Sequence, residues 1–320
     1  DPERALDYGR RALEAATALG DFALQMEANL RLAQVHHARG EYADAVDVLE
    51  RSVAALKGDL THERFGLPLV FSVGARSWLV RSLVELGEFD RARARAMEAV
   101  RLAEEADHPF SLAVADWALG HTALRRGDLV EAVEALTRSL ELCRVWSIRL
   151  WLPRCAADLG SALALSGRVA EALPLLEQAV AQEDAMHTRG GHALWVALLS
   201  EGYSLAGRPA DALRLSRRAL GLACAHGEQG HQAWALRLVG EVEAQGSSPD
   251  LEQAAWAYGE ALALAERLGM RPLVAHAHLG LGRLAERRGD AAGAGTHLAQ
   301  ARALFAELGM SLWQQRAGGP

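Results

Sequence analysis

The sequence predicts an all-α fold, a solenoid of antiparallel helix pairs stacked in one row. Three observations predict it: a phrase that recurs about every 40 residues, a composition of helix formers, and glycines placed where helices should stop. The phrase is a Gly, an Ala five residues later and an Ala or Ser seven beyond that. It reads Gly40-Ala45-Ser52, Gly87-Ala92-Ala99, Gly127-Ala132-Ser139, Gly167-Ala172-Ala179, Gly207-Ala212-Ala219 and Gly289-Ala294-Ala301, with Pro249-Ala254-Ala261 as the variant. Ala5 and Ala12 carry the tail of an earlier copy. Between Ala5 and Ala294 the central alanines step by 40, 47, 40, 40, 40, 42 and 40 residues. A fixed period of this size is the mark of a repeat array.

Each part of the phrase has a physical role. Gly ends the first helix of a pair (helix A), because it takes the left-handed conformation past the last helical residue. The two small residues share one face of the second helix (helix B) and let the backbones approach closely. A second phrase, a Leu followed by a small residue, lies twelve positions before most central alanines: Leu32-Ala33, Leu119-Gly120, Leu159-Gly160, Leu199-Ser200 and Leu281-Gly282. Its leucines are expected to fill the seam. Turn-formers open helix B at Pro2, Pro209 and Pro249-Asp250.

Composition narrows the function. The chain has 320 residues, too many for one ordinary compact core, and a repeat array removes that limit. It is 50% hydrophobic, which argues against disorder. A net charge of -7 argues against direct nucleic-acid binding, which needs clustered cations. Lys57 is the single lysine, so phosphate-loop and Schiff-base chemistry have little to work with. Cys143, Cys155 and Cys224 are odd in number and lack CxxC spacing, which fits a reduced, cytoplasmic setting. No apolar run reaches membrane-spanning length. Neither HExxH nor GxSxG occurs, and His276 and His278 fall on different helix faces. The expectation is a protein that is no enzyme and needs no metal or cofactor.

Both phrases fall at the offsets of the tetratricopeptide-repeat (TPR) family, and the chain resembles that family over essentially its whole length. The resemblance implies a right-handed α-solenoid of about seven repeats, here of roughly 40 residues instead of the usual 34 or so. About six extra residues per repeat should lengthen the helices by more than a turn. As one solenoid over 1–320, the chain should hold a first repeat truncated to helix B (1–19), an inserted segment (57–71) and a capping turn and tail (309–320). Particular strings resemble the C-terminal TPR region of large bacterial signalling proteins. They are Gly58-Asp59-Leu60, Glu63-Arg64-Phe65-Gly66-Leu67-Pro68, Ala223-Cys224 with Gln232 to Arg237, and Leu268 to His276. That likeness implies an upstream adenylate-cyclase-like or AAA/STAND-type ATPase domain in the parent chain, and a sensor or scaffold role for this part.

The resemblance also places helix A on the inner wall of the superhelix. By offset, the inward positions are Gln34, His37, Arg81, Trp117, His121, Arg154, Ser161, Glu201, Arg237, Glu241, His276 and Arg283. Their mix of charge, imidazole and indole suits capture of a protein or peptide, while each taken alone also fits a solvated helix face. Trp117 fits groove and core equally. The inserted segment reads either as a functional loop or as a spacer, with Phe65, Leu67 and Phe71 apolar enough to pack back. Trp146 and Trp151 read either as interface anchors or as plugs of an inter-repeat seam. A homo-oligomer built on the exposed stripe of the first helix B, or a free-standing adaptor, is the alternative function.

Overall fold

The structure is a computed structural model that describes residues 2–186, 191–245 and 249–318. Asp1 and the last two tail residues, Gly319 and Pro320, lie outside them. The described residues form sixteen α-helices and no β-strand. A lone helix B, α1 (Pro2–Leu19), comes first. Seven A–B pairs follow: α2 (Phe22–Arg39) with α3 (Tyr42–Ala55), α4 (Phe71–Leu86) with α5 (Phe89–Glu105), α6 (Pro109–Arg126) with α7 (Leu129–Val145), α8 (Leu152–Leu165) with α9 (Val169–Met186), α10 (His192–Leu205) with α11 (Pro209–His226), α12 (Gln229–Glu243) with α13 (Leu251–Arg267), and α14 (Arg271–Arg287) with α15 (Ala291–Glu307). A short α16 (Ser311–Gly318) ends the row.

The small residues do what their spacing predicts. The central alanines 45, 92, 132, 172, 212 and 254 are fully buried, as are Ala99, Ala179, Ala219, Ala261 and Ala301. In α1 the same face, Ala5 and Ala12, is exposed, because nothing in the described residues packs before it. At the A–B seam the small residue faces a large one four positions past the central alanine. A Cβ at Gly120, Gly160 or Gly282 would meet Leu136, Leu176 or Leu298 at 2.6–2.7 Å. Aspartates finish several helix starts: Asp21, Asp250 and Asp290 each accept a backbone N–H three residues on, at 2.9–3.0 Å.

The inserted segment packs back. After a 3-10 turn over Gly58–His62, the Phe65 ring sits edge-on to Phe22 and Phe71, with centroids 5.9 and 5.4 Å away. Ser111 Oγ accepts the Val70 N–H at 3.0 Å, tying the end of the segment to α6. The two tryptophans divide: Trp151 stands edge-on to Trp117 in the interior, whereas Trp146 is exposed and fills no seam.

The row also bends back on itself, which the repeat period does not reveal. Helix α12 touches α2 and α14 touches α4, so the superhelix comes full circle after about five repeats. The A–B turns of the early pairs then press on B–A turns of the late ones. Gly40 lies under Leu268, Gly87 under Leu308 and Pro272, and Gly127 under Leu312 and Trp313. Arg126 Nε donates to the Gly309 carbonyl at 3.2 Å, and Arg316 Nη2 to the Leu165 carbonyl at 3.1 Å. No helix among the described residues is long and apolar enough to cross a membrane.

Candidate functional site: the polar axis

Closing the ring turns the inner wall of helix A into a polar axis. His37, Arg81, Trp117, His121, Arg154, Ser161, Glu201, Arg237 and His276 all line two adjoining cavities on it. Around His121, Arg237 and His276 the cavity is about 50 Å³, room for a few waters. Around Arg81 and Arg154 it is about 10 Å³, room for about one. His121, Asp158 and Leu194 belong to both.

Other predicted residues fall elsewhere. Glu241 lines neither axial cavity but accepts from Arg237 Nη1 at 2.6 Å, and Arg283 donates to the Arg316 carbonyl at 2.8 Å. Gln34 faces a separate apolar groove between α1, α2 and the end of α11.

Most of the axial charge is locally answered. Asp158 accepts from Trp117 Nε1 at 2.8 Å and faces His121 Nδ1 at 2.9 Å, both from α6. Burial pushes the Asp158 carboxyl up, but the His121 and Arg154 charges and the Trp117 N–H outweigh it and hold it below the usual range. Glu85 accepts from Arg125 Nη2 at 3.1 Å and from Trp234 Nε1 at 2.9 Å, with Arg125 stacked 3.8 Å over the Trp234 ring. This trio joins α4, α6 and α12 and so crosses the ring closure. Burial acts to lower Arg237, yet Glu241 and Glu201 raise it further than burial lowers it.

Two guanidiniums are answered differently. Arg81 is 6% exposed and stacks 3.9 Å over the Trp78 ring, but its buried Nη1 has no acceptor. Arg154 lies between the Trp117, Trp151 and Trp195 rings, 4.9–5.6 Å from their centroids. Among the described residues neither forms an ion pair, and burial holds both below the ordinary arginine range. His37 contacts Ser82 Oγ at 3.0 Å. Burial, with Arg81, His231, Arg154 and His121 around it, keeps its imidazole neutral well below the usual pH. His276, ringed by Trp313, Phe305 and Trp234, is lowered in the same way, by burial and then by Arg237, Arg125 and Arg316.

Glu85, Arg125, Asp158, Trp195, His231, Trp234 and Trp313 are axial residues that the repeat offsets missed. A signal existed for three of them. Glu85, Arg125 and Asp158 lie four residues after Arg81, His121 and Arg154, one turn further along the same helical face. Away from the axis, ligand atoms of His36, Glu41 and Asp44 lie within 4.8 Å of one another. Arg39 already donates to Glu41 at 2.7 Å, and His36 meets its other oxygen at 2.6 Å. That cluster therefore has a built-in cation. Cys143 and Cys155 are buried free thiols with sulfurs 3.8 Å apart.

Comparison with known proteins agrees with this architecture. Chains of similar structure include the Rap conjugation gene regulator of the plasmid pLS20 in complex with the Phr* peptide (14% identity, TM-score 0.69, 92% of this chain and 77% of that one). A Rap protein complexed with Competence and Sporulation Factor matches at 13% identity and TM-score 0.65, over 99% and 96% of the two chains. A signal transduction ATPase with numerous domains from Pyrococcus horikoshii, carrying a tetratricopeptide-repeat sensor, matches at 14% identity and TM-score 0.52, over 97% of this chain and 46% of that one. At such identities the likeness is one of fold. No curated protein matches the sequence. Three family models described as tetratricopeptide repeat match residues 1–59, 73–96 with 275–300, and 111–185, together more than half of the chain. The chain belongs to the tetratricopeptide-repeat family.

Proposed function

We propose that this chain is a non-catalytic, cytoplasmic peptide- or protein-binding module, the sensor arm of a larger bacterial signalling protein with an upstream ATPase or cyclase-like domain. The observation that carries the reading is the closed polar axis. It is lined by polar and aromatic side chains from helices A of successive repeats, it retains a cavity, and its closure depends on contacts between early and late repeats. A ligand that enters it must change how those repeats meet, and that change is a signal a neighbouring domain can read. The Rap proteins of similar fold, solved with peptides, support the ligand class, and the tetratricopeptide-repeat sensor of the ATPase supports the setting.

The test is selection of peptides from a displayed random library on the full chain, followed by affinity measurement on two variants. Ser161→Phe fills the larger cavity and should weaken the selected peptides at least about tenfold, with the circular dichroism spectrum unchanged. Trp313→Ala widens it and should not weaken them. Equal affinity for Ser161→Phe and the parent would sink the axial reading.

A second reading rests on the apolar groove between α1, α2 and the end of α11, where Leu19 is 75% exposed and Tyr8 56%. There the occupant would be a second copy of this chain. Light scattering over a wide concentration range decides it: a constant monomer mass, matched by Leu19→Asp, removes this reading.

A further inference from the structure

Arg81 and Arg154 are an anomaly within an otherwise balanced axis. Burying a guanidinium without a carboxylate is costly, and proteins normally avoid it. Four buried carboxylates lie nearby and none forms an ion pair with either guanidinium: Glu85 bonds Arg125 and Trp234, Asp158 bonds His121 and Trp117, Glu228 meets His231 at 3.0 Å, and Glu183 acts on Arg154 through its charge alone. The small cavity is lined by both guanidiniums, by Glu85 and Asp158, by the rings of Trp117 and Trp195, and by the imidazoles of His37, His121 and His231. Arg81 Nη1 is a buried donor with no protein acceptor. The site thus lacks a carboxylate in direct contact with either guanidinium, and at least one acceptor oxygen.

From this geometry we infer that the pocket between Arg81 and Arg154 is a carboxylate-binding site, taking either a free small acid or the carboxylate of a peptide. A carboxylate supplies what is missing: an acceptor oxygen for Arg81 Nη1 and a negative charge in direct contact with the guanidiniums, in the planar geometry arginine matches best. It also fixes the ring. Arg81 comes from α4 and Arg154 from α8, while the facing His231 comes from α12, beyond the closure. Cancelling the repulsion between the two guanidiniums favours the packing of α4 and α8 beside the closure. Because the unliganded space is about 10 Å³, seating the anion moves one wall outward, and binding is coupled to the meeting of early and late repeats. The inference deepens the peptide-binding proposal and rests on it for the entry route, though the acetate arm below stands alone.

The experiment is thermal unfolding of the full chain in sodium acetate against sodium chloride at equal ionic strength. Two further probes are N-acetyl-trialanine with a free terminus and its amide. At about a hundredfold excess over Kd, a bound carboxylate raises the midpoint by roughly 4 °C. Acetate, and the free-terminus peptide more than its amide, should do this for the parent and not for Arg81→Met or Arg154→Met. Without ligand, Arg81→Met should melt no lower than the parent, since it removes a buried charge that has no partner. Protection by acetate no greater than by chloride overturns the site, and so does a sharp loss of stability in ligand-free Arg81→Met. If acetate protects through both arginines while no peptide binds the axis, the carboxylate site stands and the peptide reading falls. If selected peptides bind with affinities indifferent to both arginines, the peptide reading stands and the carboxylate site falls.

Discussion

Gly87 and Gly167 hold the same place in their repeats, each in the turn between helix A and helix B, and each is left-handed, with φ of 82° and 84°. A Cβ added at Gly167 would meet nothing within 4 Å, while one at Gly87 would strike Leu308 at 2.7 Å and Pro272 at 3.2 Å. One motif therefore serves two physical ends. In the middle repeats it lets the chain turn. In the early repeats it also gives the late repeats a flat surface to land on. Whether the solenoid is an open spiral or a closed ring depends on the second use.

The ring closure has an electrostatic bolt, and breaking it should have the largest effect. Glu85→Ala leaves Arg125 without its carboxylate and Trp234 Nε1 without an acceptor across the closure. Loss of one partner of a buried pair costs about 3–5 kcal/mol. The melting midpoint should fall, and the radius of gyration in solution scattering should rise if early and late repeats part. A lower midpoint at unchanged radius would show that Glu85 stabilises its own repeat only.

Next in size is Gly87→Ala. It combines the left-handed strain of a non-glycine residue with a clash against Leu308, roughly 2–4 kcal/mol together. The double variant with Leu308→Ala separates the terms. Relieving the clash should recover part of the loss, a non-additivity expected only if the two residues touch.

The repeat pairing was legible in the sequence because it is local. A small residue twelve positions before another can only mean a tight helix pair, and the buried alanines follow from that. Helix A residues such as Arg81, His121, Ser161 and Glu201, spaced 40 apart, were legible as inward-facing for the same reason. The closure was not, because it sums small rotations over five repeats, and no residue spacing encodes a contact such as Glu85 with Trp234, 149 positions away. The charge balance of the axis was hidden with it. Arg237 and Arg81 look alike in sequence, yet one meets two glutamates and the other none.

Third comes acid. Burial lowers His37 and His276 in the folded chain, whereas the unfolded chain protonates them near the ordinary pKa of about 6.5. Below that pH the unfolded state binds more protons, so stability present above about 6.5 is lost as pH falls toward the folded pKa values, by about 1.4 kcal/mol per pH unit for each histidine. Asp158, held below its usual range, adds its loss only at still lower pH. Midpoints measured from pH about 7.5 to about 5 should fall more steeply for the parent than for His276→Gln. Equal slopes would mean that His276 gains its proton without resistance.

Gly167→Ala should have the smallest effect, and it is the control that gives the comparison its force. Its φ of 84° is as unfavourable for alanine as that of Gly87, so the backbone term of about 1 kcal/mol is common to both. Nothing stands within 4 Å of the added methyl, so no packing term follows, and Gly207→Ala, equally open, should match it. The difference between Gly87→Ala and Gly167→Ala then isolates the contribution of the second superhelical turn, free of conformational strain. If the two cost the same, the contact of Leu308 with the early turn adds no stability and the closed ring is not the form the chain holds in solution. If Gly87→Ala costs more, and Leu308→Ala removes the excess, the closure is a stabilising contact that a ligand on the axis has to work with or against.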